Sequence, residues 1–287
     1  MKNVAPHLVL VLVGACSALP GCSSNEDVVP NQALDSGPVG DAASPTGLGS
    51  LPQTDPFASA TLDPAWSVLN PQLASLTTRS GTLTLEMKAK AIWAGPNEAV
   101  HVWKRVTGNF RATATVRARS TSSPELPPRG PVRLGGLMAR NPSSPPRQNY
   151  VHIVVGFAPT GLSVETKTTT DNATSYEAPA WPSADAELRI CRVGQTFTLL
   201  KRPVGGDRWE VGATIERPEM PSELAVGPNV YAQYGAGGPP GDGGAPDAAG
   251  VDAGPDIGPD LSVLVGPVVF AAVTTSGDCS ASDKVAP

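Results

Sequence analysis

The stretch FRATATVRAR, Phe110–Arg119, shows most plainly how this chain folds. Its side chains alternate strictly, with apolar residues from Phe110 to Ala118 at every second position and arginine or threonine between them. This period of two predicts a β-strand with one face in a core and the other in water. A lone strand of this kind has no partner, so we expect the chain around it to supply further strands.

The same alternation recurs on both sides of this strand. Residues 158–161 and Gly194 lie between predicted strands and form turns, so two pairs of strands are predicted to be hairpins. No stretch shows a sustained helical stripe, which predicts an all-β domain, a two-sheet sandwich of antiparallel strands. The other predicted strands are at residues 82–87, 150–157, 162–168, 187–193, 196–202 and 230–234, and in the apolar run 261–273.

The first 21 residues have the features of a targeting segment. Lys2 adds a positive charge near the N-terminus. The apolar run LVLVLVGAC, residues 8–16, is too short to remain as a membrane-spanning helix. The tetrapeptide LPGC that ends at Cys22 resembles the lipobox of bacterial lipoproteins, which implies that Cys22 becomes the lipid-bearing N-terminus. The alternative is an ordinary secretory signal that is cut nearby, with Cys22 left as a disulfide partner.

Two segments have the composition of flexible chain. Residues 22–53 are rich in Ser, Asp, Gly, Pro, Ala and Asn without periodicity, which predicts a disordered tether after a signal peptide at residues 1–21. The β-sandwich domain is expected at residues 54–287. A Gly/Pro/Asp-rich stretch at about residues 235–260 interrupts it and is interpreted as a surface insertion.

This organisation of the chain predicts different roles for the four cysteines. Cys16 leaves with the signal peptide and Cys22 takes the lipid, so Cys191 and Cys279 remain as a pair in an oxidising compartment, where a disulfide is expected. No CxxC motif or mixed Cys/His cluster occurs, so the sequence predicts no zinc site.

Composition limits the partners and cofactors of the chain. A net charge of -5 and 5% aromatic residues provide no basic footprint for nucleic acid. Ca²⁺ is the one candidate ion, because it prefers oxygen ligands, but the acids of the insertion lack the alternate spacing of a calcium loop and favour a solvated segment. These acids are Asp242, Asp247, Asp252, Asp256 and Asp260.

Five motifs follow one another in order along the predicted domain. They are DPFASATLDPAWSVLNP (55–71), WKRVTGNFRATATVRA (103–118), GGLMARNP (135–142), NYVHIVVG (149–156) and LRICRVGQTFTLLKRPVGGDRWE (188–210). This ordered series resembles the concanavalin A-like lectin/glucanase jelly roll, and within that superfamily a poorly characterised branch related to accessory modules beside some bacterial β-xylosidases. The resemblance covers about residues 55–273 without the insertion, and it implies two curved sheets, one of them concave.

In that fold RLGGLMARNP, residues 133–142, fits a middle strand. It is apolar on both sides, and Gly135 and Gly136 fit a place where curvature or a close approach leaves little room for a side chain. Arg140 marks the end of the strand. One interpretation has Arg140, Tyr150 and His152 lining a groove that holds a sugar; the other has Arg140 as a solvated or ion-paired residue.

Residues for catalysis are sparse. β-Glucan-cleaving members of the superfamily carry two glutamates with an aspartate between them on one strand, a spacing suited to a retaining mechanism. This chain offers only Asp185 and Glu187, a pair without a third acid, which is better interpreted as two solvated charges at a strand start. No GxSxG motif occurs, so a serine hydrolase is not predicted. No catalytic residue is therefore assigned.

Tryptophan and tyrosine are the remaining candidates for a sugar site, because sugar rings stack on aromatic faces. Trp103, like Trp93 and Trp181, is expected near a strand end or loop, where it is either a binding platform or buried at the sheet rim. The resemblance implies that Trp66 and Trp209 frame the sandwich, so both are expected in the core.

The sequence thus predicts a lipoprotein of the bacterial envelope, anchored through Cys22 and more in keeping with the outer membrane. Its jelly-roll domain is expected to be a non-catalytic, carbohydrate-binding module whose partner is a glycan or another envelope component. Two alternatives stay open: a glycoside hydrolase with an atypical acid pair, and a structural or partner-binding envelope protein.

Overall fold

The computed structural model describes Leu51, residues 53–233 and residues 259–282, all within one compact unit, Ala43–Pro287. The predicted signal peptide, Cys22, nearly all of the tether and most of the insertion lie outside these residues. The described part contains sixteen strands and two short 3-10 helices, Pro71–Leu73 and Ser276–Ser280, and no α-helix. None of its helices has the length and apolar character needed to cross a membrane.

The strands are short to medium in length and are numbered in chain order. They are β1 Gln53–Asp55, β2 Ser67–Leu69, β3 Ala74–Arg79, β4 Thr82–Met87, β5 Val100–Thr107, β6 Phe110–Arg119, β7 Val132–Arg140, β8 Tyr150–Ala158, β9 Gly161–Thr170, β10 Ala173–Glu177, β11 Asp185–Val193, β12 Thr196–Arg202, β13 Glu210–Glu216, β14 Glu223–Gln233, β15 Ser262–Val265 and β16 Val268–Ala272.

These strands form two antiparallel sheets, as the sequence predicts. The nine-stranded sheet runs in the order β13-β12-β11-β6-β15-β4-β3, and β16 joins it by pairing with β6 and with β1. The seven-stranded sheet runs in the order β10-β9-β8-β7-β14-β5-β2. The strand order follows a non-sequential path in both sheets, as expected for a sandwich in which successive strands cross between layers.

The core lies between the two sheets and follows from the period of two. On β6 the apolar residues from Phe110 to Ala118 are all buried there, together with Val151, Ile153 and Val155 of β8. Full burial of a Val, Ile or Phe side chain among them contributes about 1.5–3 kcal/mol. The apolar faces of the two sheets are therefore packed against each other.

The stretch 133–142 is the middle strand that it is predicted to be. Its strand, β7, is fourth of seven in its sheet, between β8 and β14. A methyl group at Gly135 would lie 2.5 Å from Cγ2 of Val263 in the facing sheet, and one at Gly136 would lie 2.2 Å from the carbonyl oxygen of Ile153. Both contacts are far shorter than van der Waals distance, so the expectation of close approach at these glycines is confirmed.

Most predicted strands are found, and the differences have physical reasons. The ranges 82–87, 110–119 and 196–202 match β4, β6 and β12 at both ends. The strands predicted at 150–157, 162–168 and 187–193 are longer in the structure by one or two residues at an end, and two other predictions differ more. The strand placed at 230–234 begins at Glu223, because the sheet accommodates Gly227 and Pro228, which normally signal a break. The run 261–273 is two strands, separated at Gly266 and Pro267.

A buried ion pair holds the first strand to the core. Asp55 of β1 lies 2.9 Å from the ammonium of Lys104 on β5, whose side chain is 2% exposed. The indole of Trp66 donates a further hydrogen bond to Asp55 and stacks 4.8 Å from the Lys104 ammonium. Because an isolated buried charge is costly, these partners depend on one another.

The predicted disulfide is present and fastens the end of the described chain. Cys191 on β11 is bonded to Cys279 in the second 3-10 helix. Beneath this helix the guanidinium of Arg189 is fully buried and donates hydrogen bonds to the carbonyls of Cys279 and Ala281, at 2.6 and 2.9 Å. The ring of Trp209 lies 4.1 Å from the same guanidinium. The C-terminal segment thus covers the outer face of the nine-stranded sheet around Arg189 and Cys191.

Candidate functional site

The candidate site is on the face of the seven-stranded sheet that is directed away from the nine-stranded sheet, called the far face here. Side chains alternate along β7 and β8, so residues next to core positions such as Ala139 and Val151 point to this face. In the pairing register, Arg140 is opposite Tyr150 and Met138 is opposite His152. The three residues predicted to share a groove are therefore neighbours on one surface.

A polar network on the far face is centred on Glu165 of β9. Its Oε1 accepts hydrogen bonds from the phenol of Tyr231 at 2.6 Å and from Nε2 of His152 at 3.0 Å, and it lies 2.9 Å from the ammonium of Lys167. Asn229 Nδ2 lies 3.4 Å from Nδ1 of His152. All five side chains are at least nine-tenths buried.

The pKa values of this network fix its charges. Burial lowers the pKa of His152 to about 4 against the opposing effect of Glu165, so the ring is neutral near pH 7. Burial alone would raise the pKa of Glu165, but hydrogen bonding by His152 and the charge of Lys167 outweigh it and bring that pKa to about 2. The bonding partners assign the neutral ring: Nε2 carries the hydrogen given to Glu165, and Nδ1 accepts from Asn229.

Gly136 of β7 stands beside this network, between Asn229 of β14 and Val154 of β8 in the sheet register. A methyl group at Gly136 would lie 2.2 Å from the carbonyl oxygen of Ile153, 2.6 Å from Cα of Val154 and 2.9 Å from Cδ1 of Leu188 in the facing sheet. A larger residue would therefore force β7 away from β8, the strand that carries His152.

Arg140 lies at one end of the far face and is ion-paired. Its guanidinium bonds the carboxylate of Glu98 and donates to Oε1 of Gln148 and to the carbonyl of Ser144, both at 3.1 Å. The amide of Gln148 donates to the same Glu98 oxygen at 2.8 Å. Burial lowers the pKa of Arg140 and Glu98 opposes that effect, so the ion pair is what makes this buried position tolerable for a cation.

Residues 88–99, the covering segment, cross the far face between β4 and β5. Ala91 exchanges backbone hydrogen bonds of 3.0 Å with Ala232 on β14, and the carbonyl of Trp93 accepts from the ammonium of Lys167 at 3.1 Å. The Trp93 ring is fully buried against Tyr150, at 5.5 Å between ring centroids, with the guanidinium of Arg140 6.0 Å away. The segment also carries Glu98, so it supplies both a ring and a carboxylate to the face.

Because of this segment, the predicted groove residues do not line an open groove. Arg140 is 4% exposed, and Tyr150 and His152 are 0% exposed. Arg140 is thus the ion-paired residue of the alternative interpretation. Trp103 is half-buried, points to the same far face by its alternation with Val102, and has the guanidinium of Arg105 at 5.8 Å from its ring.

The predicted acid pair is elsewhere. Asp185 and Glu187 alternate with core residues of β11, so both point outward from the nine-stranded sheet. Asp185 is ion-paired with Arg119, and Glu187 accepts from Nε of Arg202 at 2.7 Å. Each carboxylate is therefore neutralised by its own arginine, and neither faces the Glu165 network.

The described residues contain no group of three or more side chains suited to hold a metal ion. Of the five insertion acids, four lie outside those residues. The fifth, Asp260, accepts hydrogen bonds from the hydroxyl of Ser120 at 2.9 Å and from the backbone amide of Ser122 at 2.8 Å. Its carboxylate is thus a loop anchor in this structure.

Several residues of the far face are absent from the sequence-based predictions, among them Glu165, Asn229 and Tyr231. A signal for Glu165 exists in the sequence. The predicted hairpin turn between β8 and β9 pairs Val154 with Glu165 and His152 with Lys167, which brings the acid to the histidine. The position of Trp93 has no such local signal, because the covering segment has no periodicity.

No protein-family model and no curated protein matches the sequence. Solved structures are similar in fold. A functionally unknown protein from Saccharomyces cerevisiae is 13% identical with a TM-score of 0.51, over 73% of this chain and 97% of that one. A xylan β-1,4-xylosidase from Bacillus halodurans C-125 is 14% identical with a TM-score of 0.55, over 78% of this chain and 40% of that one.

A third structure, the xyloglucan PUL GH43B protein of Bacteroides ovatus, is 15% identical with a TM-score of 0.53, over 79% of this chain and 40% of that one. At such identities the likeness shows the fold alone. This chain spans about 40% of the length of the two bacterial proteins. The fold is a two-sheet antiparallel jelly roll, as the sequence predicts.

Proposed function

We propose that the protein is a lipoprotein of the bacterial envelope whose jelly-roll domain binds carbohydrate without cleaving it. The observation that carries the proposal is the far face, where aromatic rings and hydrogen-bonding side chains lie on one sheet surface. Tyr150, His152 and Tyr231 form a continuous row of rings with centroids 5.6–5.7 Å apart. Aromatic faces with a few fixed polar groups are the combination that sugar sites use.

The state of the acids supports a role without catalysis. Glycoside hydrolysis needs one carboxyl that can give a proton and a second carboxylate close to it. Glu165 has a pKa lowered to about 2 and is held by three partners, which suits a fixed anion and not a proton donor. Asp185 and Glu187 lie on the nine-stranded sheet, and each is paired with an arginine of that same sheet.

The glycan proposal is tested by affinity electrophoresis of the full-length protein in gels that contain bacterial or plant polysaccharides. We expect retardation by one glycan class, and weaker retardation after Trp103→Ala, which removes a half-buried ring from the far face. Val211→Ala is the control, because Val211 is 57% exposed on β13. No retardation by any polysaccharide would overturn carbohydrate binding, and release of reducing sugar would overturn the non-catalytic role.

The membrane anchor rests on the LPGC tetrapeptide and the polar segment that follows it. We expect the protein made in a bacterium to incorporate a labelled fatty acid and to partition into the detergent phase of Triton X-114. Cys22→Ala should lose both properties, whereas Cys16→Ala should keep them. Equal behaviour of the two variants would contradict lipidation of Cys22.

A second function is favoured by the covering segment. Because residues 88–99 bury the far face, the sandwich also suits an envelope protein that binds another protein through its outer surfaces. Crosslinking of the membrane-bound protein in cells, followed by mass spectrometry, distinguishes the two functions. A crosslinked protein partner together with an absence of retardation on every glycan would favour this second candidate.

A further inference from the structure

The covering segment brings its own carboxylate and ring to the far face. Glu98 bonds Arg140 and Gln148, and the Trp93 ring covers Tyr150. Both groups come from one short stretch of chain, and both contact Arg140: Glu98 through its carboxylate and Trp93 through its ring, which lies 6.0 Å from the guanidinium. The Arg140 guanidinium has no other carboxylate partner among the ion pairs of the described residues.

We propose that Glu98 and Trp93 occupy the position of an acidic sugar, and that the ligand of this face is a glycan with uronic acid residues. The inference rests on the proposed glycan-binding function and adds the class of glycan and the way in which the face is regulated. Binding exchanges the Glu98 carboxylate on Arg140 for a ligand carboxylate, and the ligand displaces Trp93 from Tyr150. The covering segment is thus an internal competitor.

Charge explains why an acid is selected. When the covering segment leaves, Arg140 loses Glu98 and Lys167 loses the carbonyl of Trp93, but Lys167 keeps Glu165. The newly unpaired group is therefore a guanidinium, which binds carboxylates through two parallel hydrogen bonds. A neutral sugar would leave it buried and without a counter-charge, at a high cost in free energy.

Access and incomplete bonding support an exchange. The Glu98 side chain is 21% exposed, whereas the Arg140 side chain is 5% exposed, so solvent reaches the ion pair from the Glu98 side. Trp93 Nε1 and Asn229 Oδ1 are buried on this face without a hydrogen-bond partner. A buried donor or acceptor without a partner is unfavourable, so the closed arrangement is weaker than a fully bonded one.

The test compares two polymers with one backbone. Polygalacturonate carries a carboxylate on each residue, and fully methyl-esterified pectin carries none. We expect affinity electrophoresis of the full-length protein to show retardation by polygalacturonate and not by the ester. Glu98→Gln removes the competing carboxylate, so its dissociation constant for polygalacturonate should fall about tenfold, a change that corresponds to about 1.4 kcal/mol.

Glu125→Gln is the matched control, because it makes the same charge change at an exposed residue and should leave the affinity unaltered. Arg140→Met should abolish retardation even in the Glu98→Gln background. Amide hydrogen exchange gives a second measurement: polygalacturonate should speed exchange in residues 88–99, where a ligand bound elsewhere would leave it unchanged.

The outcomes separate the inference from the function on which it rests. Equal affinity of the wild-type and Glu98→Gln proteins for polygalacturonate would overturn the inference, as would retardation by neutral glycans only, which leaves carbohydrate binding intact. Retardation by neither acidic nor neutral glycans would overturn carbohydrate binding itself.

Discussion

Gly135 and Gly136 are adjacent on β7, and other parts of the fold approach both of them closely. A methyl group at Gly135 would meet Val263 of the facing sheet, and one at Gly136 would meet the backbone of Ile153 on β8 and Cδ1 of Leu188 in the facing sheet. A glycine inside a strand normally weakens it, because it adds flexibility and has no side chain to pack. Here both glycines are required by contacts with residues that are distant in sequence.

Substitution of Gly135 tests the close approach of the two sheets. Gly135→Ala places a methyl group 2.5 Å from Val263, so we expect the free energy of unfolding in urea to fall by about 1–3 kcal/mol. Gly266→Ala is the control, because its nearest neighbour is 3.6 Å away. Adding Val263→Ala to the Gly135 variant should restore part of the loss; no restoration would argue against this contact as the cause.

His152 and His101 are both fully buried and have lowered pKa values. Burial makes the folded state bind protons more weakly than the unfolded chain, where histidine has its ordinary pKa of 6.5. The free energy of unfolding should therefore decline as the pH falls from about 6.5 toward 4, by up to about 1.4 kcal/mol per pH unit for each histidine.

The variant His152→Gln checks this pH dependence. Its loss of stability between pH 6.5 and 4 should be smaller than that of the wild type, with the remainder due to His101. Urea denaturation at several pH values gives both slopes. If the two proteins had the same slope, the proton-linked cost would not arise at His152.

At the scale of the element, a strand could be predicted from the sequence only where its own residues alternate between apolar and polar. β6 has a regular apolar face and is found at both ends from sequence alone. β5 is not predicted because Lys104 stands among its core residues, and the counter-charge that makes this burial tolerable comes from Asp55, 49 residues away. β10 is not predicted because it is a mostly exposed edge strand, in which no apolar residues alternate with polar ones.

The candidate site was predictable to the extent that it is made by neighbouring strands. Arg140, Tyr150 and His152 share a surface because β7 and β8 pair directly, and a period of two is enough to predict this. That the face is covered was not predictable. The path of residues 88–99 is set by contacts with β14 and β9, which no local pattern encodes.

The disulfide joins two elements whose residues are 88 positions apart in sequence. Closing so long a loop restricts the unfolded chain, so removal of the bond by the double substitution Cys191→Ala and Cys279→Ala should lower the free energy of unfolding by about 2–5 kcal/mol. Thermal unfolding with and without a reductant measures it. A reductant should have no effect on the double variant; an equal effect on both proteins would assign the loss to something else.

Buried arginines connect the sheets across the whole molecule. Arg217 follows β13 of one sheet and donates to the carbonyls of Tyr150 and Thr169 in the other, both at 2.9 Å. Arg192 of β11 donates to the carbonyl of Met220 at 3.2 Å, shortly before β14 begins. Such bonds satisfy carbonyls at strand ends, which would otherwise be buried without partners.

The insertion gives a prediction at this scale. If residues 235–258 form a surface loop, their replacement by eight Gly and Ser residues should change the free energy of unfolding by only about 1 kcal/mol, because loop closure depends weakly on length. Asp260→Ala, in contrast, loses hydrogen bonds to Ser120 and Ser122, and it should lower stability by about 1–3 kcal/mol. Urea denaturation of both variants measures these changes. A larger loss of stability in the shortened chain than in Asp260→Ala would refute the loop interpretation.

The position of β1 determines how the domain bears a mechanical load. Tension applied to the chain ahead of Gln53 reaches the fold through three residues that pair with β16, and the last of them is Asp55. To peel β1 away, the force must also separate Asp55 from the Lys104 ammonium and from Trp66. The buried ion pair therefore resists the mechanical separation of β1 at the point where a force applied from the N-terminal side reaches the sandwich.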